Sequence, residues 1–334
     1  MKKIFILAFI NCICFFGFSQ KNKECTIAFY NIENLYDTIN DPDVDDEEFL
    51  PGGKNNWTGE RFEKKIYNLA KVIDSLGGGP SILGLSEVEN RFVLETLVAH
   101  KKIAKKDYGI VHENSIDKRG IDVAMIYKKS DFKPLFHKMA RVSLPDDPEF
   151  ITRDIMIVKG LLFSKPVYFF INHWPSRRGG DVESRPKRIA AAKVARYSID
   201  TILKSDPKAN IILMGDFNDS PTDQSIVEYL GAADSPDAKG LVLFDAMASL
   251  AKAGDGSHSY KEEWNMLDQI IVSKNLLESK SKLQYELNSA AVYRPLWMHD
   301  KYSKHKGAPY RTYAGPKFIG GYSDHFPVYI KLKM

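Results

Sequence analysis

The chain has 334 residues, of which 44% are hydrophobic and 27% charged, and this composition is typical of a folded globular protein with a substantial core. The formal net charge of +4 excludes the strong overall positive field of a protein that binds nucleic acid over its whole surface. Any attraction for a polyanion must therefore come from a local group of basic residues.

The first residues, 1–19, are predicted to be a signal peptide and not part of the fold. Lys2 and Lys3 precede an apolar stretch over 4–18, which is too short for a membrane-spanning helix. Small residues at 17 and 19 predict cleavage before Gln20 or Lys21. A lipoprotein anchor is the alternative, but the two cysteines of this stretch do not follow small residues as an anchor requires.

Removal of 1–19 would leave Cys25 as the only cysteine and lower the net charge to +2, because Lys2 and Lys3 are lost. The mature chain could then form no intrachain disulfide and would depend on its core for stability. No second apolar run of spanning length follows, so we expect no stable membrane association. We expect export to the periplasm or the medium, and a monomer.

Short apolar runs rich in β-branched and aromatic residues recur along the chain and predict strands. Several of them are apolar at consecutive positions, as expected for strands covered on both faces. The clearest runs are Thr26–Ile32, Ile82–Ser86, Ile121–Tyr127, Ile155–Phe163, Val167–Asn172, Ile211–Gly215, Leu267–Val272 and Phe326–Leu332.

Two helices are predicted between these strands. Over 58–76 apolar residues recur every three or four positions, and the glycines at 77–79 followed by Pro80 should end the helix. A second apolar stripe runs over 184–204, with Ser184 as the expected N-cap. This mixture of strands and helices predicts one α/β domain over residues 20–334, with two sheets packed face to face and helices outside.

Several predicted strands run directly into a cluster of acidic, amide or imidazole side chains. The two clearest cases are Met214-Gly215-Asp216-Phe217-Asn218-Asp219 and Tyr322-Ser323-Asp324-His325-Phe326-Pro327-Val328. Burying such groups at a strand end is costly unless they bind a metal or do chemistry. Gly215 is expected to let its strand turn sharply at this point.

These segments, in their order along the chain, resemble the motifs of the endonuclease/exonuclease/phosphatase superfamily. Its members include pancreatic-type deoxyribonucleases, abasic-site nucleases, sphingomyelinases and inositol-polyphosphate phosphatases. The resemblance extends over residues 25–334 and implies a four-layer αββα sandwich with two mixed sheets. Asn172-His173-Trp174-Pro175-Ser176-Arg177 and Leu267-Asp268-Gln269-Ile270 further resemble a secreted bacterial group of the superfamily.

The resemblance implies catalytic roles for five residues. Asp216 would orient or deprotonate the attacking water, and Asn218 would bind phosphate or align Asp216. His325 would act with Asp268, which accepts its hydrogen bond and raises its pKa. His173 would contact the scissile phosphate, where a positive imidazolium could stabilise the transition state.

The resemblance also implies a metal site. Glu87 matches the metal-binding Glu of the family, and a single carboxylate at a strand end suits Mg²⁺, which keeps most of its waters. Asn31 would hold the metal or the phosphate through its amide. Glu33 and Asp324 would complete the site, although Glu33 could equally be an ordinary loop carboxylate. Mg²⁺ is the expected cofactor, with Mn²⁺ or Ca²⁺ as alternatives.

Two basic stretches are candidates for holding an anionic substrate. The first follows His173, and the second, at 293–322, mixes basic and aromatic residues as single-stranded nucleic acid binding requires. Either stretch could also be an ordinary solvated loop. The residues predicted to bind substrate are Arg177, Arg178, Tyr302 and Arg311, and the first stretch also contains Arg185, Lys187 and Arg188.

The sequence therefore predicts a metal-dependent phosphoester hydrolase in which water attacks phosphorus. The leading hypothesis is a secreted nuclease that hydrolyses phosphodiester bonds of nucleic acid. A secreted phosphatase or phosphodiesterase acting on small phosphoesters or phospholipid headgroups is the alternative. A binding protein without catalysis is the third hypothesis, and the complete set of motif residues argues against it.

Overall fold

A computed structural model describes residues 23–301 and 307–334. The predicted signal peptide at 1–19 and the predicted substrate residue Tyr302 lie outside the described residues, so both stay predictions. Cys25 is buried and free. None of the helices in the two described ranges has both the length and the hydrophobicity that crossing a membrane would require.

The described chain contains four α-helices and eighteen strands. The helices are α1 (Gly59–Ser75), α2 (Arg91–Ala99), α3 (Asp181–Ser205) and α4 (Ala248–Lys252). The strands are β1 (Glu24–Leu35), β2 (Ile82–Val88), β3 (Tyr108–His112), β4 (Asp122–Lys128), β5 (Phe132–Ala140), β6 (Ile155–Leu162), β7 (Lys165–His173), β8 (Ile211–Asp216), β9 (Ala232–Ala233), β10 (Leu243–Asp245), β11 (His258–Tyr260), β12 (Glu263–Asn265), β13 (Asp268–Ser273), β14 (Gln284–Tyr285), β15 (Ala291–Val292), β16 (Tyr313–Ala314), β17 (Lys317–Phe318) and β18 (Val328–Lys333).

Within the described residues fourteen of these strands form two seven-stranded mixed sheets, and the other four form the two-stranded pairs β11–β12 and β16–β17. The first has the order β14-β18-β1-β2-β4-β3, with β15 also paired to β18, and the second has the order β5-β6-β7-β8-β13-β10-β9. Each sheet has a central parallel pair, β1 with β2 in the first and β7 with β8 in the second. The carboxyl ends of the two strands in each pair therefore lie at the same edge of their sheet.

The two sheets pack face to face, and helices cover their outer faces. The core between the sheets joins Phe29 of the first sheet to Phe169 and Met214 of the second. A second buried cluster packs α1 and α2 on the first sheet, and a third packs α3 on the second. The predicted four-layer αββα sandwich is confirmed.

The two predicted helices form, but the start of the second was predicted wrongly. The first helix ends at Ser75, and Gly77 follows with a positive φ of 58° that favours glycine. The second begins at Asp181, after Gly180, and Ser184 lies in its first turns instead of capping it. The first turn is polar, so the apolar periodicity used for the prediction could not detect it.

Candidate active site

The strand ends that carry the predicted site residues meet at one edge of the sandwich. Asn31 is the last residue of β1 before its register with β2 shifts, and Glu87 lies near the end of β2. In the second sheet His173 of β7 and Asp268 of β13 are both register partners of Asp216 on β8. The site residues share this edge because the parallel pair at the centre of each sheet brings the carboxyl ends of its two strands together.

Asn31 links the two sheets within this site. Its Nδ2 donates to Glu87 Oε1 at 3.2 Å and to Asp216 Oδ2 at 3.1 Å. Its own carbonyl accepts a hydrogen bond of 2.6 Å from Ser323 Oγ. One buried amide thus connects carboxylates of both sheets to the segment that precedes β18.

Backbone strain occurs at the site, where four of the eleven positive-φ residues other than glycine in the described chain lie. Glu33, Asn34, Glu87 and Asn218 have positive φ values of 51°, 51°, 64° and 52°, which residues other than glycine rarely adopt. Strain of this kind persists where the surrounding structure imposes it and is frequent at functional sites. At Glu87 it accompanies a hydrogen bond of 2.9 Å from Asn34 N to Oε2, which fixes the carboxylate.

The expectation that Gly215 provides a sharp turn was wrong. Gly215 lies within β8, and a Cβ at this position would be 2.5 Å from the carbonyl oxygen of Asn172 on β7. Glycine is therefore required for the close approach of β7 to β8. The turn occurs later, at Asn218, where the backbone adopts the positive φ.

Both carboxylate oxygens of Asp216 are held by hydrogen bonds. Oδ1 accepts from Asn218 N at 2.9 Å, and Oδ2 accepts from Asn31. Burial raises the pKa of Asp216 to about 7, even though nearby His325 opposes the shift. The Asn218 amide donates to Trp174 O at 2.9 Å, so Asn218 aligns Asp216 through its backbone in this structure.

His325 and Asp268 form a short contact in the site. The Nδ1 of His325 lies 2.6 Å from Asp268 Oδ2, and Asp268 is fully buried. Burial by itself would lower the pKa of His325, but the charges of Asp268, Asp216 and Asp324 raise it well above its ordinary value. The other ring nitrogen of His325, Nε2, is on the side of Asp216 and lies 3.9 Å from its Oδ2.

His173 lies between the carboxylates of Glu87 and Asp216, but its charge differs from the sequence-based expectation. Its Nε2 is 3.9 Å from Glu87 Oε1 and 3.8 Å from Asp216 Oδ2. Burial, followed by the nearby charges of Arg153 and Arg119, lowers the pKa of His173 well below its ordinary value. A neutral ring can donate a hydrogen bond to phosphate, so the expectation of a positive imidazolium is corrected.

A divalent cation fits beside Glu87. The Asn31 amide donates to a carboxylate oxygen of both Glu87 and Asp216, and the Nε2 of His173 lies within 3.9 Å of the same two carboxylates. Oxygen donors of this kind suit Mg²⁺, which binds one or two carboxylates and retains water. Glu87, with Asn31 and Asp216 beside it, is therefore the place where this chain would hold such an ion.

The other two predicted metal ligands are engaged elsewhere. Glu33 Oε2 accepts a hydrogen bond of 2.6 Å from Thr312 N and lies 3.7 Å from Lys65 Nζ. Asp324 Oδ2 lies 3.1 Å from Arg311 Nη2. The assignment of Glu33 and Asp324 to the metal stays a prediction, and the structure instead provides each with a cationic partner.

The first basic stretch is mostly neutralised within the protein, which corrects the expectation of a free cationic surface. Arg177 Nη2 lies 2.6 Å from Asp223 Oδ2 and 3.2 Å from Asp219 Oδ1. Arg188 is fully buried, with its Nε 2.6 Å from Asp219 Oδ1. Arg178 is exposed, so of the two predicted substrate residues in this stretch it is the one whose surface position suits the role.

A cavity of about 400 Å³ opens beside Asp324. Arg311 lines it together with Asp324, and the tip of the β11–β12 hairpin contributes Tyr260 and Lys261. Ile319 forms part of its apolar wall. Arg311 thus lies where a substrate group could reach it, which is compatible with its predicted role.

Three residues near the site were not predicted: Lys65, Arg153 and His258. Lys65 is buried and donates to Thr312 Oγ1 at 2.7 Å and to Tyr322 O at 2.8 Å. Its position on the apolar face of α1 was a signal that the sequence contained. The buried Arg153 and the half-buried His258 had no such signal, because their surroundings depend on contacts between distant segments.

Solved structures of similar fold extend over nearly the whole chain. TDP2 from D. rerio, humanized by 14 mutations, matches with a TM-score of 0.57 at 15% identity, covering 93% of this chain and 99% of that one. A mannosyl-6-phosphatase from Bacteroides thetaiotaomicron matches with a TM-score of 0.57 at 17% identity, covering 92% and 99%. The human Nocturnin catalytic domain with bound sulfate matches with a TM-score of 0.53 at 14% identity, covering 93% and 97%.

No curated protein matches the chain. The structural likenesses, all below 20% identity, demonstrate a shared fold. The sequence pattern of the Endonuclease/Exonuclease/phosphatase family matches residues 26–334, which is nearly all of the chain outside the predicted signal peptide. Together with the site geometry, this match supports metal-dependent phosphoester hydrolysis. The chain belongs to the Endonuclease/Exonuclease/phosphatase family.

Proposed function

We propose that the protein hydrolyses phosphoesters in which the phosphate carries a compact organic group, of the size of a sugar or a single nucleotide. The observation that supports this substrate class is the cavity of about 400 Å³ beside Asp324, a volume in the range of small-molecule sites. Arg311 within it offers a planar cation for an anionic or hydroxyl-bearing group.

The reaction in this proposal is an attack of water on phosphorus. Asp216, held at both oxygens, accepts a proton from the water, and its pKa of about 7 is suited to this task near neutral pH. His325, oriented by Asp268, donates a hydrogen bond from Nε2 to a phosphoryl oxygen. Neutral His173 donates a further hydrogen bond to the phosphate.

Bound at Glu87, a divalent cation would polarise a phosphate oxygen and stabilise the charge of the leaving oxygen. Asn31 also has a role that does not require the ion. Its Nδ2 donates hydrogen bonds to both Glu87 and Asp216 and so fixes one carboxylate relative to the other. We propose Mg²⁺ as the ion because oxygen donors of this kind suit it, with Mn²⁺ or Ca²⁺ as alternatives.

A nuclease is the second candidate function. TDP2 from D. rerio has been solved in complex with a single-strand DNA product, and Arg311, Lys261 and Tyr260 border the cavity as base and phosphate contacts would require. Against this function stands the internal pairing of Arg177 and Arg188, which removes most of the predicted cationic surface. Export through residues 1–19 to the periplasm or the medium is part of both proposals.

The test is hydrolysis by the purified protein, with Mg²⁺ or with a chelator, of three substrates in parallel. These are a panel of sugar phosphates and nucleotides, bis-p-nitrophenyl phosphate, and plasmid DNA. Chelator-sensitive turnover of the compact esters with intact plasmid would support the first proposal. Plasmid nicking at a comparable rate would favour the nuclease, and no hydrolysis of any substrate by folded protein would contradict both.

Arg311 provides a sharper test of the cavity. Arg311→Gln removes the cation but keeps hydrogen-bonding capacity, and we expect KM for a compact ester to rise about tenfold with a smaller change in kcat. Arg178→Gln is the comparison variant, because Arg178 is the exposed candidate of the first basic stretch and lies outside the cavity lining. If Arg178→Gln raised KM and Arg311→Gln did not, the cavity would not be the substrate site.

A further inference from the structure

The β11–β12 hairpin holds His258 against the predicted catalytic histidine. The backbones of His258 and His325 form an isolated antiparallel bridge, and Phe326 N donates to Ser257 O at 2.8 Å. The centroids of the two imidazole rings are 4.7 Å apart. Backbone hydrogen bonds therefore fix His258 beside His325, so its position does not depend on a flexible side chain.

His258, Asp324 and His325 together offer three metal-ligating groups. One ligand atom from each lies within 4.8 Å of the other two. The Nδ1 atom of His258 is buried and has no hydrogen-bond partner among the residues that the structure describes. A buried imidazole nitrogen without a partner is costly, and a bound cation would satisfy it. The reaction proposed above does not use His258.

The donor types distinguish this group from the oxygen-rich site at Glu87. Two imidazoles and one carboxylate suit Zn²⁺ and similar transition-metal ions, whereas Mg²⁺ prefers carboxylates and water. Arg311 is the competing cation, because its Nη2 lies 3.1 Å from Asp324 Oδ2. An ion at this group would therefore share Asp324 with Arg311 or displace its side chain.

Only one nitrogen of His325 is available to such an ion. Nδ1 is 2.6 Å from Asp268 Oδ2, which leaves Nε2. Nε2 is also the atom that the proposed reaction needs, and it lies 3.9 Å from Asp216 Oδ2. Binding of a cation at this group and hydrogen bonding of His325 to the substrate therefore exclude each other.

We propose that His258, Asp324 and His325 form an inhibitory site for Zn²⁺ or a similar transition-metal ion, separate from the site at Glu87. An ion bound there occupies Nε2 of His325 and stops hydrolysis. The inhibition rests on the proposed phosphoesterase function, whereas binding of the ion does not.

Binding is measured first, without activity. Metal-free protein in excess Mg²⁺ is titrated with Co²⁺, whose visible absorption reports ligand number and type, and with Zn²⁺ in competition with a chromogenic chelator. We expect one Zn²⁺ per chain, and at least about tenfold weaker binding in His258→Gln, because even loss of a partner to a metal ligand costs about that much. His137→Gln is the matched control, since His137 is an exposed histidine 3.3 Å from Glu113.

Inhibition is then measured as the fraction of each variant's own Mg²⁺-dependent rate that remains at rising Zn²⁺. We expect inhibition to follow Zn²⁺ occupancy in the wild type and in His137→Gln, and to require at least about tenfold more Zn²⁺ in His258→Gln. Unchanged Zn²⁺ affinity in folded His258→Gln, or full occupancy without inhibition, would overturn the proposal. If His258→Gln does not fold, Asp324→Asn serves in the binding measurement with the same expectation.

The two proposals fail in different ways. A folded protein that hydrolyses no phosphoester but binds Co²⁺ in a His258-dependent manner contradicts the proposed function and retains the cation site. A protein that hydrolyses phosphoesters and binds no Co²⁺ or Zn²⁺ in excess Mg²⁺ contradicts the cation site alone.

Discussion

Asp216 and Asp219 are three residues apart at the end of β8, and both are almost completely buried, but their surroundings differ. Asp219 is surrounded by fixed partners, with Arg188 Nε at 2.6 Å from Oδ1 and Ser225 Oγ at 2.6 Å from Oδ2. Asp216 has two hydrogen bonds from neutral groups, and its nearest cation is His325 at 3.9 Å.

The difference separates a structural carboxylate from a reactive one. The charge of Asp219 is balanced by an always-protonated guanidinium. Burial raises the pKa of Asp219, but its contacts with Arg188 and Ser225 oppose that shift, and the residue stabilises the loop after β8. The charge of Asp216 is left without such a partner, and burial raises its pKa to about 7. Burial alone would not have distinguished the two residues, whereas the identity of the partner does.

The largest expected effect is on turnover in Asp216→Asn. The amide keeps the shape and can still accept the hydrogen bond from Asn218 N, but it cannot take a proton from water. We expect kcat for the best substrate to fall about a thousandfold or more, with stability unchanged or slightly higher. Steady-state kinetics and urea unfolding measure the two quantities, and a near wild-type rate would remove Asp216 from the proposed role.

The other side of the comparison is tested by Arg188→Met. The substitution leaves Asp219 buried with its strongest partner removed, and we expect a loss of about 3–5 kcal/mol in the free energy of unfolding. Arg185→Met is the matched control, because its pair with Asp181 is exposed and should contribute less than about 1 kcal/mol. Equal losses of unfolding free energy in the two variants would show that the buried Arg188–Asp219 pair stabilises the fold no more than an exposed pair does.

The pH dependence of kcat/KM tests the reactive side of the comparison. Asp216 must be deprotonated, so the rate should rise with pH through about 7. His325 must remain protonated, so the rate should fall only where pH exceeds its raised pKa.

In Asp268→Asn the charge that raises the pKa of His325 is gone, so the alkaline limb of the pH profile should move to lower pH and kcat should fall about a hundredfold or more. An unmoved alkaline limb would mean that the limb belongs to another group.

Asp245, a buried carboxylate outside the site, should have the smallest effect on activity and a pH-dependent effect on stability. Its Oδ2 has no hydrogen-bond partner among the described residues, and burial raises its pKa to about 7. The folded protein therefore binds more protons than the unfolded chain between the ordinary value and about 7, so stability falls as pH rises through this window. Asp245→Asn should add up to about 4 kcal/mol near pH 8 and nothing near pH 4, as measured by urea unfolding. A gain of equal size at both pH values would exclude this titration as the cause.

Much of the fold could be predicted from local patterns. The consecutive apolar residues of β7 and β8 and the stripe of α1 are local signals, and each corresponds to an observed element. The start of α3 was not predictable in this way, because its first turn is mostly polar and adds nothing to the apolar periodicity. The need for glycine at 215 was not predictable from local patterns either, because it arises from the close approach of Asn172 on the neighbouring strand.

Residue types and their order along the chain were sufficient to nominate Asp216, Asp268 and His325 and to indicate hydrolysis of phosphoesters. Only the tertiary structure decided which charges are available. It neutralises Arg177 and Arg188 with Asp219, lowers the pKa of His173 by burial, and brings His258 against His325. The physical reason is that the charge and the pKa of a side chain depend on its solvation and its nearest partners, and these partners come from segments far apart in the chain.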